Sequence, residues 1–136
     1  MHPVPLALIL LRASRWFDRQ LLETLEGAGW PRLTPAQSLV FAQIQKNGVP
    51  PASLARQLGT TRQGTHELVA GLVRLDLLAV VVDPTRAGGR LVTLTDRGSA
   101  LTKDARQILH DLELQLGDER ANDLRRLLAN FAEPPA

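Results

Sequence analysis

The chain has 136 residues, 44% of them hydrophobic, a formal net charge of +2 and no cysteine. Those figures exclude a disordered chain. They also exclude a structural disulfide, a cysteine nucleophile and thiol-based redox sensing.

The length suits one domain with a core of its own. The longest apolar run, Pro5 to Leu11, is far too short to span a bilayer. It has neither a preceding Lys or Arg nor a following small-residue cleavage site, so no secretory signal is expected. The expected location is cytoplasmic, with no membrane partner.

In chain order, Leu6, Ile9, Leu10, Ala13, Phe17, Leu21 and Leu25 recur at steps of three and four. That spacing predicts an amphipathic helix over residues 5–27, ended by Gly27-Ala-Gly29. Thr34-Pro-Ala-Gln37 reads as a capping box with Pro at the first helical position. It opens a second helix carrying Leu39, Val40 and Ile44, stopped by Asn47-Gly48. Pro50-Pro51 opens a third, through Leu58. Thr60-Thr-Arg-Gln63 is a second capping-box pattern and opens a fourth, with Leu68, Val69, Leu72 and Leu75 on one face. Ala79 to Asp83 and Arg90 to Leu94 then read as strands joined by a loop, Pro84 to Gly89. Thr95 or Asp96 caps a long helix bearing Leu101, Ala105, Ile108, Leu109, Leu112 and Leu116, with a break at Gly117-Asp118. A last helix holds Leu124, Leu127, Leu128 and Phe131 and is stopped by Glu133-Pro-Pro.

The expected fold is mainly α with a small β-hairpin, and its centre is a helix-turn-helix. Leu54, Ala55, Leu58, Gly59 and Leu68 supply the apolar, small and turn positions that two crossing helices need. The second of those helices turns Leu68, Val69, Leu72 and Leu75 inward. Thr61, Arg62, Gln63, His66 and Ala70 are left outward. Gln63 matches adenine and Arg62 matches guanine in the major-groove donor and acceptor pattern. Thr60 or Thr61 serves as helix cap and phosphate ligand together, and His66 reaches a base or a phosphate. The loop carries Arg86 at its tip and Arg90 at its base, suited to the negative potential of a minor groove. For each of these residues the alternative is an ordinary solvated position. Residues 50–97 hold six Arg against four acids, whereas residues 98–136 hold five basic residues against seven acids. The basic share therefore sits with the candidate DNA reader. The apolar helices at both ends are expected to pair with those of a second chain, or else to complete a monomeric core.

No catalytic constellation stands out, and no cofactor is expected. The histidines are His2, His66 and His110. His110 and Glu113 lie one helical turn apart, as surface helices often place such residues, and no metal site is assigned to them.

The chain resembles the MarR family of bacterial transcriptional regulators over nearly its whole length. The matching residues are Leu33-Thr-Pro-Ala-Gln37, Leu54-Ala-Arg-Gln-Leu-Gly59, the Leu68-Val69 and Leu72 face, Asp83-Pro-Thr85, and Leu91-Val-Thr-Leu-Thr-Asp-Arg-Gly98. The resemblance implies a winged helix-turn-helix over residues 34–98, with dimerisation helices at 5–33 and 99–131, all in one domain. It implies a homodimer on double-stranded DNA carrying a palindromic operator. It further implies a repressor released by a small, commonly aromatic, ligand in a pocket near which Trp16 and Trp30 fall. The sequence departs from the family pattern at the wing, where Arg86-Ala87-Gly88 replaces the usual Asp-Arg-Arg. It departs again at Glu67, basic in many members, and at Asp76, commonly Gly. The competing reading is a winged-helix dimer acting as a protein- or ligand-interaction module, with weak or no DNA binding.

Overall fold

The computed structural model describes residues 1–132. The element order is α1 (Leu6–Gly27), α2 (Pro35–Gln43), α3 (Pro51–Leu58), α4 (Arg62–Arg74), β1 (Leu78–Val82), β2 (Arg90–Leu94), α5 (Asp96–Leu114), α6 (Asp118–Leu127) and α7 (Ala129–Ala132). The expected last helix is two, α6 and α7, divided at Leu128. Glu133 and the prolines after it lie outside the described residues. Two compact units are formed, Pro31–Asp104 and Met1–Trp30 with Ala105–Ala136, so the boundary falls within α5.

In the 31–104 unit, α2 starts as its sequence predicts. Thr34 Oγ1 accepts from the Gln37 N–H at 3.1 Å, and Gln37 Oε1 accepts from the Thr34 N–H at 3.0 Å. The apolar face of α2 differs from the expected one. Val40 and Phe41 are buried, whereas Leu39 is 54% exposed and Ile44 lies past the helix end. A helix of nine residues that packs on both α3 and α4 turns adjacent positions inward, and two turns of periodicity cannot single out one stripe. The turn between α3 and α4 rests on Gly59, whose φ of 66° lies in the left-handed region. Leu54 and Ala55 are buried beneath it, next to Val69 and Leu72 of α4 in the core.

The second capping-box expectation fails in detail. Thr61 is the N-cap of α4 and accepts from the Gly64 N–H at 2.9 Å, while Gln63 turns its amide to Glu67 instead. Thr60 lies one residue outside the helix. Its hydroxyl pairs with that of Thr65 at 2.5 Å, giving Thr65, a buried polar side chain within α4, its partner.

β1 and β2 form an antiparallel hairpin in the register Leu78↔Leu94, Val80↔Val92 and Val82↔Arg90. β2 has a second neighbour, because Val49 bridges Val92 with reciprocal N–H···O bonds of 3.0 and 2.8 Å. The end of α4 is joined tightly to the start of α5. Asp76 takes a φ of 59°, unusual for a residue with a side chain. Thr95 Oγ1 donates to the Asp76 carbonyl at 2.6 Å and accepts from the Gly98 N–H at 3.0 Å, capping α5. Gly98 lies directly against the Leu77 carbonyl, and a Cβ there would collide with it.

In the other unit, Leu21 and Leu25 of α1 are buried, as are Leu112 and Ala121. Much of the expected apolar face is not. Leu6, Ile9 and Leu10 in the first turns of α1 are exposed, and so are Leu124, Leu127 and Phe131 of α6 and α7. Helix α6 follows the break expected at Gly117, with Asp118 and Glu119 in its first turn and Arg125 and Arg126 in its last. No helix among the described residues is long and apolar enough to cross a membrane.

Candidate nucleic-acid interface

The N-terminal turn of α4 and the β-hairpin carry the residues singled out from the sequence. Thr61, Arg62, Gln63 and His66 are all exposed. Arg62 makes no hydrogen bond or ion pair among the described residues, so its five N–H donors remain available. Gln63 is partly engaged, since its Nε2 donates to Glu67 Oε1 at 3.3 Å. Thr61 uses its oxygen as the helix cap, which leaves its hydroxyl hydrogen free for an acceptor. Thr60 is committed to Thr65 and to the Thr61 carbonyl, so the cap and outward-donor role falls to Thr61.

At the hairpin tip, Asp83 Oδ1 accepts from the Thr85 N–H at 2.9 Å and from Thr85 Oγ1 at 2.6 Å. Those two bonds, with Arg86 nearby, hold the Asp83 carboxyl below the usual carboxylate range. Its carboxylate therefore closes the turn from within. The Arg86 side chain folds across Gly89, where an added Cβ would come within 2.6 Å of Nε.

One groove gathers several of these residues. It encloses about 910 Å³, and Arg62, Gln63 and His66 of α4 line it together with Arg90 of β2. Thr60, Thr61 and Arg86 do not line it, and neither do Trp16 and Trp30. Trp16 packs edge-on to Phe17, with ring centroids 5.1 Å apart, and Trp30 is half-buried at the end of its unit. Sequence reading missed Arg74, Val73 and Val80, which also line the groove. Arg62, His66, Val69 and Val73 stand at helical steps of four, three and four, so a second stripe was readable on α4. Val80 was not readable in this way, because its contribution depends on which side of the hairpin meets α4.

Residues 33–87 match the MarR family. The reduced form of MarR from E. coli has a TM-score of 0.76 at 24% identity, covering 98% of this chain and 100% of that one. A MarR variant from E. coli complexed with operator DNA gives 0.72 at 24% identity, covering 96% and 95%. CouR from Rhodococcus jostii RHA1, bound to p-coumaroyl-CoA, gives 0.73 at 22% identity, covering 94% and 92%. No curated protein matches the chain. The MarR-family match over residues 33–87 lies on a winged-helix fold that the chain shares along nearly its full length with these structures.

Proposed function

We propose that the chain is a sequence-specific DNA-binding regulator of transcription, a homodimer on a palindromic operator, and a repressor released by a small ligand. One observation carries this reading: the first turn of α4 presents Arg62, Gln63 and His66 on an exposed side of the helix. That end also carries the positive pole of the helix dipole and its unpaired N–H groups, which favour phosphate. Arg86 and Arg90 extend the basic surface along the hairpin. The exposed leucines of α1, α6 and α7 support pairing with a second copy. The operator complex of a structural relative and the p-coumaroyl-CoA complex of another support DNA and a ligand as partners. Trp16 and Trp30 are proposed neighbours of that ligand, and an aromatic acid would quench their emission.

Titrating the protein with DNA from its own upstream region, at several salt concentrations, tests the reading. Affinity should fall steeply with salt. Arg62→Ala should cost about 1–3 kcal/mol and relax preference at one base position. A titration without sequence preference, or flat with salt, sinks the regulator. It would favour the interaction module instead, for which the Gln63–Glu67 bond speaks because it occupies an amide otherwise free for adenine.

A further inference from the structure

We propose that Asn47 is a site of spontaneous modification, where the Gly48 backbone nitrogen attacks the Asn47 side-chain amide and leaves an isoaspartate that lengthens the main chain. The site does not depend on the regulator reading above.

The turn between α2 and α3 supplies both reacting groups. Asn47 is exposed, and its side-chain amide makes no hydrogen bond among the described residues. Its neighbour Gly48 has no side chain to shield the backbone nitrogen, and a φ of 89° favours glycine there. The Gly48 N–H donates to the Gln45 carbonyl at 2.9 Å. A single bond in an exposed turn opens at far lower cost than global unfolding. Once the nitrogen has given its proton to solvent base, it forms a bond to Asn47 Cγ. The Cγ–Nδ2 bond breaks, ammonia leaves, and a succinimide ring closes. Water then adds to either ring carbonyl. Opening at Cγ gives aspartate, whereas opening at the Asn47 main-chain carbonyl gives isoaspartate. The net reaction takes up water, releases ammonia and needs no oxidant or enzyme.

The other asparagines lack these conditions. Asn122 and Asn130 lie within α6 and α7 and precede Asp123 and Phe131. Those side chains hinder attack at the following nitrogen, and helical backbone holds that nitrogen away from ring closure. What Gly48 touches sets the consequence at Asn47. Isoaspartate routes the chain through its side-chain carbon, so an extra main-chain atom enters between residues 47 and 48. The β2 side has no room for it, since a Cβ on Gly48 would lie 2.9 Å from Thr93 Cγ2 and 3.2 Å from the Val92 carbonyl oxygen. Val49 is buried and exchanges N–H···O bonds with Val92, and Pro50 and Pro51 lead straight into α3. The added atom is therefore absorbed by breaking the Gly48–Gln45 bond or by loosening the Val49 bridge, and stability falls in both cases. Aspartate at the same position adds a charge to an exposed side chain but leaves the chain length unchanged.

Incubating the full folded chain at mildly alkaline pH, beside a portion unfolded in urea, is the test. Digestion after glutamate yields a peptide spanning residues 27–67, in which Asn47 is the only asparagine. Mass spectrometry with electron-transfer fragmentation separates asparagine, aspartate and isoaspartate in it. In the folded chain Asn47 should convert, with isoaspartate as the main product and a rate that rises with pH, while Asn122 and Asn130 stay intact. The converted fraction, isolated by ion exchange, should melt several degrees below the parent. Asn47→Asp reproduces the charge alone and should melt as the parent does; Asn47→Gln should abolish conversion at this position. The site is overturned if Asn47 survives in the folded chain while converting in urea, or if Asn122 and Asn130 convert as fast. A converted fraction that melts with the parent would overturn the strain on the Val49 bridge. An Asn47→Asp variant that melts as low as the converted fraction would assign the loss to charge and overturn the chain-length account.

Discussion

The two units of this chain treat their leucines differently. In the 31–104 unit, Leu33, Leu54, Leu72, Leu77, Leu78 and Leu101 are buried, and Leu39 is the exposed exception. In the other unit, Leu21, Leu25 and Leu112 are buried, while Leu6, Leu10, Leu124 and Leu127 face outward. Equal hydrophobicity along the sequence therefore serves two ends. The first set specifies a fold, and the second leaves a surface whose burial awaits a second copy in the proposed dimer.

The sharpest way to break that contrast is at the most crowded point of the closed unit. Gly98→Val should lower unfolding free energy by about 3 kcal/mol or more, because no rotamer avoids the Leu77 carbonyl and backbone must move. Urea denaturation followed by circular dichroism measures it, and a native-like midpoint would contradict the packing described. Matched truncations come next. Leu54→Ala should cost about 2–5 kcal/mol at any protein concentration. Leu127→Ala should change nothing in an isolated chain but should shift sedimentation equilibrium toward the monomer and make the melting temperature concentration-dependent. Two identical responses would dissolve the distinction between the units.

A smaller effect is expected at the edge of the closed unit. Thr61→Ala should destabilise by about 1 kcal/mol through loss of the α4 cap, and Thr61→Ser should restore it. The smallest is a gain. Asp76→Gly should stabilise by roughly 0.5 kcal/mol, since glycine adopts the left-handed φ without penalty and the Thr95 bond uses only the Asp76 carbonyl. A loss of stability would show that the Asp76 side chain has a role beyond its backbone.

Local chemistry was the readable part of this chain. The Thr34–Gln37 capping box and the Gly59 turn follow from short stretches of sequence, because their partners lie within a few residues. Leu39 and Phe41 exchanged roles because the face of a short helix is chosen by the helices it meets. The Thr60–Gln63 pattern misled for a related reason. Glu67, one turn on, offered Gln63 a charged acceptor, and the buried hydroxyl of Thr65 took Thr60. In the candidate site, the outward set Thr61, Arg62, Gln63 and His66 was legible from helical spacing. Its apolar counterpart was not, since Val80 joins Val73 only once the hairpin has folded back.

The bridge between Val49 and Val92 bears on which loops can change length. The turn before α3 and the hairpin tip look alike in sequence, each a short polar stretch ending in glycine. Yet Gly48, at a φ of 89°, lies against the Thr93 side chain, and the next residue is stitched to β2. An extra residue there would shift the register of that stitch and unseat α3 with it. Among the described residues, the hydrogen bonds of the tip between Asp83 and Gly89 run within it, through Thr85 and Arg86. Insertions and deletions should therefore accumulate at the tip and be purged from 45–48, so that change in wing length comes without change in the scaffold behind it.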